Sequence, residues 1–449
     1  MPSPDVLILG AGLAGLSAGV ELTRRGMRVL VLEQRPYAGG RTRSFVDPTT
    51  GDTIDNGQHL LMGCYAATRR YLSLIGSEHL TFLQPSLRID FIHAGGRTAS
   101  LACPSLPAPL HVGLGMLDLS SLSFTDRLKL LTVGAAIVGT SPRKEQWLDT
   151  ITVDAWLRQL GQSEAARRHL WDIIAIGALN ERPEHVSALL FFRVLRAAFL
   201  GNAQNASMLI PRAGLSEVLV DPAVRFIEQH GGAVRTGEDI SAVDILGDTI
   251  RAVKTERGAV YSASACISTL PFFAFERVFP SLVLKARKPV PPGAMSQHYR
   301  PSTILGINLW FDRDVMTQEF AALLGSRIHW VFNRTRMTGA GAPGMQLSLT
   351  VSGADEYDNW EKDAVVRMGV EELQRYLPRV KEATLRHAIV IREKRATFVP
   401  EPGLEAFRPR TDTALANLFL AGDWTDTGYP ATIEGAVLSG RRAAERMGG

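Results

Sequence analysis

The chain has 449 residues, enough for two or three domains with buried cores, and 45% hydrophobic with 21% charged residues is the composition of an ordinary folded protein. A net charge of +4, with no lysine-rich tail or basic-aromatic repeat, argues against nucleic acid as a partner. Cys64, Cys103 and Cys266 are too few and too scattered for a disulfide framework or a metal cage, so a reducing, cytoplasmic setting is expected and no metal.

The chain opens on an apolar strand, Asp5 to Leu9, that runs into Gly10-Ala11-Gly12-Leu13-Ala14-Gly15 and on into a helix. A motif this close to residue 1 leaves no room for a signal peptide. In a dinucleotide-binding unit Gly10 makes the tight turn, Gly12 admits a pyrophosphate to the backbone, and Gly15 lets helix pack on strand. Leu13 and Ala14 begin the helix, whose free N–H groups and positive dipole end favour phosphate. The second strand, Arg28 to Leu32, ends on Glu33-Gln34, and a carboxylate there can accept hydrogen bonds from an adenosine ribose. Glycine turns also occur for structural reasons alone; strand, turn, helix, strand and acid in this order point to a nucleotide.

Gly39-Gly40-Arg41 permits a tight bend and puts a cation beside the phosphates, although a surface loop with solvated arginines has the same composition. Asp55-Asn56-Gly57-Gln58-His59 is a polar loop before an apolar run, the sort of place where reacting groups sit beside a cofactor. For His59 a hydrogen-bonded structural histidine stays open beside that role. From Tyr65 to about Asn205 the pattern is mainly helical, after a strand-like excursion near Arg88 to Arg97. The longest uncharged run, Thr98 to Leu117, is broken by Pro104, Pro107 and Pro109, so no segment is expected to span a membrane. Ser123-Phe124-Thr125-Asp126 is a capping-box-like helix start, and Glu164 to Ile176 reads as one helix. Val186 to Leu200 is apolar nearly all round, so it is either buried or in contact with lipid.

Alternating strands resume near residue 233 and end on Ala265-Cys266-Ile267-Ser268, which returns to the nucleotide domain. Strands over Thr303 to Phe311, Ser326 to Asn333 and Met345 to Ser352 make a second sheet, followed by a helix from Asp363. The chain closes on Leu418-Phe419-Leu420-Ala421-Gly422-Asp423 and a last helix, whose N-terminus faces another electron-rich part of the ligand. The fold class is α/β, with a Rossmann-type (glutathione-reductase-like) domain, an inserted helical region and a mixed-sheet domain. The nucleotide domain takes residues 1–64, 206–272 and 391–449, the helical region 65–205, and the second sheet 273–390.

Taken together, these motifs resemble the flavin-dependent amine oxidase and carotenoid desaturase superfamily along nearly the whole chain. Asp55 to His59, Leu179-Asn180, Arg392 to Phe398, Gly422-Asp423-Trp424 and Pro430 to Ala436 are most similar to the hydroxysqualene dehydroxylases, also called squalene-associated FAD-dependent desaturases. The resemblance implies FAD, with Gly10, Gly12, Leu13, Ala14, Gly15, Glu33 and Gln34 on its ADP half and Gly40 and Arg41 at the pyrophosphate. It further implies Val243 against the adenine, Gly422 and Asp423 at phosphate and ribityl, Thr432 and Ile433 against the flavin, and Gly57 and Gln58 beside the ring. The reaction implied is reductive removal of the hydroxyl of hydroxysqualene, giving squalene for hopanoid synthesis.

An acid must then protonate the departing hydroxyl; His59 is the first candidate and Glu393 the second. A long hydrocarbon substrate suits greasy helices between residues 114 and 200 that line an access tunnel and touch a membrane surface. Arg193 and Arg196 are available either to lipid headgroups or to partners inside the fold. No second nicotinamide fingerprint is present, so a flavin-reducing partner and docking NAD(P)H both stay open. The rival readings are an oxidative carotenoid-type desaturase, an amine oxidase, and a prenyl-lipid carrier of the same fold without flavin chemistry.

Overall fold

The computed structural model describes residues 3–339 and 344–447. Strand β1 (Val6–Leu9) leads through the glycine turn into α1 (Leu13–Arg24), and β2 (Val29–Glu33) follows. Both strands are buried along their whole length, which explains their unbroken Val/Ile/Leu runs: a parallel sheet covered on both faces has no polar side. After α2 (Ala66–Leu74) come β3 (Arg88–Ile92) and β4 (Thr98–Ala102), then six helices. These are α3 (Leu110–Leu117), α4 (Phe124–Gly139), α5 (Pro142–Leu148), α6 (Val153–Gln159), α7 (Asp172–Leu179) and α8 (Ala188–Phe199). Ser123 caps α4 by accepting the Asp126 N–H at 3.2 Å, as its sequence motif requires.

Helix α9 (Asp221–Gln229) precedes β5 (Ala233–Thr236) and an antiparallel flap of β6 (Ile240–Leu246), β7 (Thr249–Thr255) and β8 (Val260–Tyr261). Then follow β9 (Ala265–Ser268), β10 (Pro301–Phe311), β11 (Phe320–Leu323), β12 (Trp330–Asn333) and β13 (Met345–Ser352). Helix α10 (Lys362–Tyr376), β14 (Leu385–Phe398), β15 (Leu418–Leu420) and α11 (Ile433–Glu445) complete the chain.

One sheet is parallel with order β5-β2-β1-β9-β15, and Val6 pairs with Val29 on one side and Ala265 on the other. Its strands come from the beginning, middle and end of the sequence. The second sheet, order β14-β10-β13-β12-β11-β3-β4, is antiparallel except where β11 meets β3.

Three sequence expectations change. The strand-like excursion near Arg88 to Arg97, assigned to the helical region 65–205, is the hairpin β3–β4 and extends the second sheet, because its alternating inward residues Ile89, Phe91, Ala99 and Leu101 need that cover. Residues 385–398 form one strand, so a boundary at 390/391 cuts an element that register shifts bend but do not break. The helix read over Glu164 to Ile176 is one α-turn, Glu164–Ala166, then a π-helical stretch, Arg167–Trp171, leading into α7. The wide turn seats Trp171, fully buried, with its indole N–H donated to Gln162 at 2.8 Å.

Candidate active site

The candidate residues, with the exceptions of Gly15 and Val243, line one cavity of ≈ 670 Å³ that runs between the two sheets and under α7 and α8. At its nucleotide end Gly10 has φ +106°, and a Cβ there would lie 2.7 Å from the Thr269 hydroxyl. Nothing lies within 4 Å of the place a Gly12 Cβ would take, which leaves room for a phosphate against the backbone. Gly15 does not reach the cavity: a Cβ there would sit 2.0 Å from the Gly10 carbonyl oxygen, so its smallness seats α1 on the turn.

The Glu33 carboxylate accepts the Ala11 N–H at 2.9 Å and the Arg35 N–H at 3.0 Å, fixing the turn to the end of β2. A carboxylate has about four acceptor sites, so it keeps capacity for a ribose. Val243 packs on the hydrophobic layer beneath the flap, away from the cavity. Ile240, with Glu238 and Asp239, is the lining residue of that segment, because only the first residue of β6 reaches the cavity edge. Val243, which the resemblance puts against the adenine, lies three residues further along the same strand.

The far end of the chain supplies the opposite wall. Arg41 donates to Asp423 at 2.7 Å and to the Ala396 carbonyl at 2.6 Å, joining the opening segment to the closing one. Burial opposes its charge, but the carboxylates of Asp423 and Glu393 outweigh that and raise its pKa. Gly422 (φ +131°) donates its N–H to Ser439 at 2.8 Å, and Thr432 caps α11 by accepting the Gly435 N–H at 3.1 Å beside Ile433.

Behind this loop lies Arg408, which the sequence reading did not single out. It is fully buried and donates to the carbonyls of Asp423 (2.8 Å), Trp424 (3.4 Å) and Tyr429 (2.6 Å), to the Thr427 hydroxyl (3.0 Å) and to Glu405 (2.7 Å). The available sequence signal was an arginine three residues after a glutamate and just upstream of the Gly-Asp strand.

The polar loop is held from below. Asp55 accepts the Ser44 hydroxyl at 2.6 Å and the Leu215 N–H at 2.8 Å, and faces the buried Arg334 at 3.5 Å. Above it, Gly57, Gln58 and His59 line the cavity. The His59 Nδ1 lies 2.7 Å from the Gly57 carbonyl, so Nδ1 carries the proton and Nε2 the lone pair. Burial lowers its pKa and favours the neutral ring. Glu393 accepts a hydrogen bond from the Asn56 amide at 3.1 Å, and it alternates with Arg395 and Thr397 along β14 on the cavity face. Asn180, among the described residues the one non-glycine with positive φ (+56°), ends α7 and donates to Thr397 at 3.0 Å.

Beyond this polar group the lining is mainly hydrocarbon, with Thr350 and Ser352 of β13 beside it: Ile173, Ile174, Val194, Leu195 and Phe199 from α7 and α8, Ile89 and Leu101 from the hairpin, and Trp330 and Phe332 from β12. Helix α8 is therefore wall rather than surface. Arg193 donates to Glu145 at 3.0 Å and Glu405 at 2.8 Å, and Arg196 to Glu145 at 2.9 Å. Their lipid-headgroup role is replaced by pairing inside the fold.

These features fit FAD: an open glycine cradle, an acid at the end of β2, and a Gly-Asp loop clamped to Arg41. Residues 13–448 match the family described as flavin containing amine oxidoreductase. The chain is 31% identical to hydroxysqualene dehydroxylase of Rhodopseudomonas palustris over 99% of its own length and 98% of the relative's. It is 31% identical to the enzyme of that name from Sinorhizobium fredii over 98% and 97%. A probable zeta-carotene desaturase of Synechococcus elongatus is 24% identical over 98% of each chain.

Among solved structures, an oxidoreductase from Methanosarcina mazei superposes with a TM-score of 0.74 at 17% identity, covering 98% of this chain and 99% of that one. Cyclohexylamine oxidase from Brevibacterium oxydans gives 0.73 at 18% identity, covering 99% of each. The structural matches carry the fold, and the sequence matches carry the family. The chain belongs to the flavin-containing amine oxidoreductase family and is an FAD-dependent oxidoreductase.

Proposed function

We propose that this enzyme removes the hydroxyl group of hydroxysqualene reductively, giving squalene for squalene and hopanoid synthesis. The observation that carries the reading is the cavity's division of labour: next to its nucleotide end a polar group that includes Asn56, His59, Glu393, Arg395 and Thr397 adjoins walls built from Ile173, Ile174, Leu195, Phe199 and Phe332. Apolar walls of this kind accept a long isoprenoid, and the polar group beside the nucleotide end gives its one oxygen hydrogen-bonding partners. The names of the relatives at 31% identity support the substrate class.

Reduced FAD supplies the hydride equivalent. The chain's own residues have three tasks. Gly10, Gly12, Glu33, Arg41, Asp423 and Thr432 hold and orient the cofactor. The apolar walls from α7, α8 and β12 align the hydrocarbon and exclude water that would capture an allylic cation. The polar group moves one proton to the departing hydroxyl oxygen, so that the alcohol, one proton and one hydride become hydrocarbon and water.

Glu393 is better placed than His59 for that proton. One of its oxygens is engaged by Asn56, and among the described residues the other accepts no hydrogen bond. His59 has Nδ1–H committed to Gly57, and burial disfavours a second proton on the ring. Glu393 is thus the group through whose free oxygen the proton passes to the departing hydroxyl, and His59 orients that hydroxyl through Nε2. The substrate comes from a membrane surface, and the reducing equivalents come from a separate reductase or from NAD(P)H.

A second reading is oxidative desaturation of a polyene, favoured by the neutral His59, whose bare Nε2 suits accepting a proton, and by the desaturase relatives. Anaerobic incubation of photoreduced holoprotein with hydroxysqualene separates the two. Squalene formed in proportion to flavin is the expected result, and hydroxysqualene recovered unchanged overturns the dehydroxylation reading.

A further inference from the structure

Helix α4 is apolar on both sides. Leu130, Val133 and Ile137 face inward and are buried, in the same core cluster as the cavity-lining Leu101, Leu195 and Phe199. Phe124, Leu128, Leu131 and Val138 recur at helical spacing on the other side and are 69%, 45%, 39% and 66% exposed. Helix α3 adds Leu110 and Leu114, 61% and 48% exposed, and α5 adds Trp147 at 45%. The exposed large hydrophobics among the described residues are concentrated in this segment, in a contiguity that a surface facing only water does not maintain.

The charges around the patch are asymmetric. Lys129, Arg143 and Lys144 are exposed. Among the acids, Glu145 is paired with Arg193 and Arg196, Asp126 accepts the Ser123 hydroxyl and lies near Lys129, and Asp118 is exposed at the end of α3. Exposed aliphatic side chains bordered by a tryptophan and by the cations Arg143 and Lys144 match the boundary of a bilayer carrying anionic headgroups. Among the described residues no helix is long and apolar enough to cross a membrane, so this face would lie in the interface.

We propose that α3, α4 and α5 form the face by which the protein docks on an anionic lipid bilayer, an assignment that rests on the reading of a membrane-borne isoprenoid substrate. It places the docked helices over the core cluster that also holds the cavity-lining Leu101, Leu195 and Phe199. This face replaces α8, whose arginines are spent on internal carboxylates.

The test is flotation of the full-length, FAD-loaded protein with phosphatidylcholine vesicles, with and without phosphatidylglycerol. Wild type is expected to float with the anionic vesicles and less with the neutral ones. The Phe124→Ser, Leu128→Ser, Val138→Ser triple variant changes exposed positions only and should lose at least about tenfold in partitioning. Lys129→Glu with Arg143→Glu and Lys144→Glu should remove the preference for anionic lipid, about fivefold for each cation. Wild type that stays with neither vesicle, or a serine variant that floats like wild type, overturns the assignment. So does a wild-type dimer, unbound to vesicles, that the serine variant dissolves, since a second copy then covers the face. In detergent micelles both proteins should convert hydroxysqualene equally. If neither converts it while flotation still depends on the patch, the dehydroxylation reading fails and the docking face stands.

Discussion

Arg408 holds three main-chain carbonyls of the segment that carries Gly422 and Asp423, and it does so without access to water. Replacing it by methionine would strand the Asp423 carbonyl, leave those of Trp424 and Tyr429 to the Tyr299 and Thr427 hydroxyls, and leave Glu405 with Arg193 alone. The expected loss is about 3 kcal/mol or more in denaturant unfolding, with FAD released on gel filtration. Arg408→Lys keeps the charge but not the planar fork, so it should recover stability in part and FAD retention less. At the proton-handling pair, Glu393→Gln should slow single-turnover product formation by about 10²-fold or more, and His59→Ala by less. Equal, near-normal rates for both would move the acid elsewhere. His329 gives a pH signature: burial pulls its imidazole down to about 4 from 6.5, and its Nδ1 accepts the Ser352 N–H at 3.0 Å. The unfolded chain then binds more protons between those values. Stability should fall, by at most about 3 kcal/mol, as pH drops from 6.5 towards 4. His329→Gln should flatten that fall in urea melts at each pH.

At the scale of elements, α1 and α11 touch through glycine. A Cβ at Gly440 would lie 2.0 Å from the Ala14 carbonyl oxygen, and the Ser17 hydroxyl donates to the Val437 carbonyl at 2.8 Å. Gly440→Ala should therefore force the helices apart, lowering stability by about 1–3 kcal/mol and weakening FAD binding, both readable from a thermal melt with and without added FAD. The β–α–β opening and the strand–helix closure were legible in the sequence, because each is a local run of buried strand, turn glycine and helix start. The membership of β3 and β4 in the second sheet was not, since a short alternating hairpin does not say which edge will cover it. The π-helical stretch before α7 was invisible for a related reason: the need to seat Trp171 is set by Gln162 and the surrounding core, not by periodicity. Val243 came from the resemblance and from no local signal, and Ile240, three residues earlier where β6 begins, is the residue of that strand at the cavity edge. Arg408 escaped notice because its partners lie mainly on a loop that only the fold brings to it.

Across the whole molecule, one cavity is closed by residues from both ends of the chain, and the Arg41–Asp423 pair ties them together at its wall. Its polar portion stands beside the glycine cradle and the Gly-Asp loop, and its hydrocarbon portion lies under the helical region, whose outer face is also apolar. The sequence motifs located the first portion, being local and chemically distinctive. The second is a product of packing, and the sequence could say only that its helices were greasy. The central claim is that this arrangement delivers reducing equivalents to an isoprenoid alcohol rather than drawing them from a hydrocarbon. The direct measurement is stopped-flow absorbance of the flavin under anaerobic conditions, with photoreduced holoprotein mixed with hydroxysqualene and oxidised holoprotein mixed with a polyene such as phytoene. The account predicts that the oxidised-flavin band returns in the first mixture, with squalene as product, and that the second mixture does not change. Bleaching of the band by the polyene, with no reoxidation by hydroxysqualene, would contradict it.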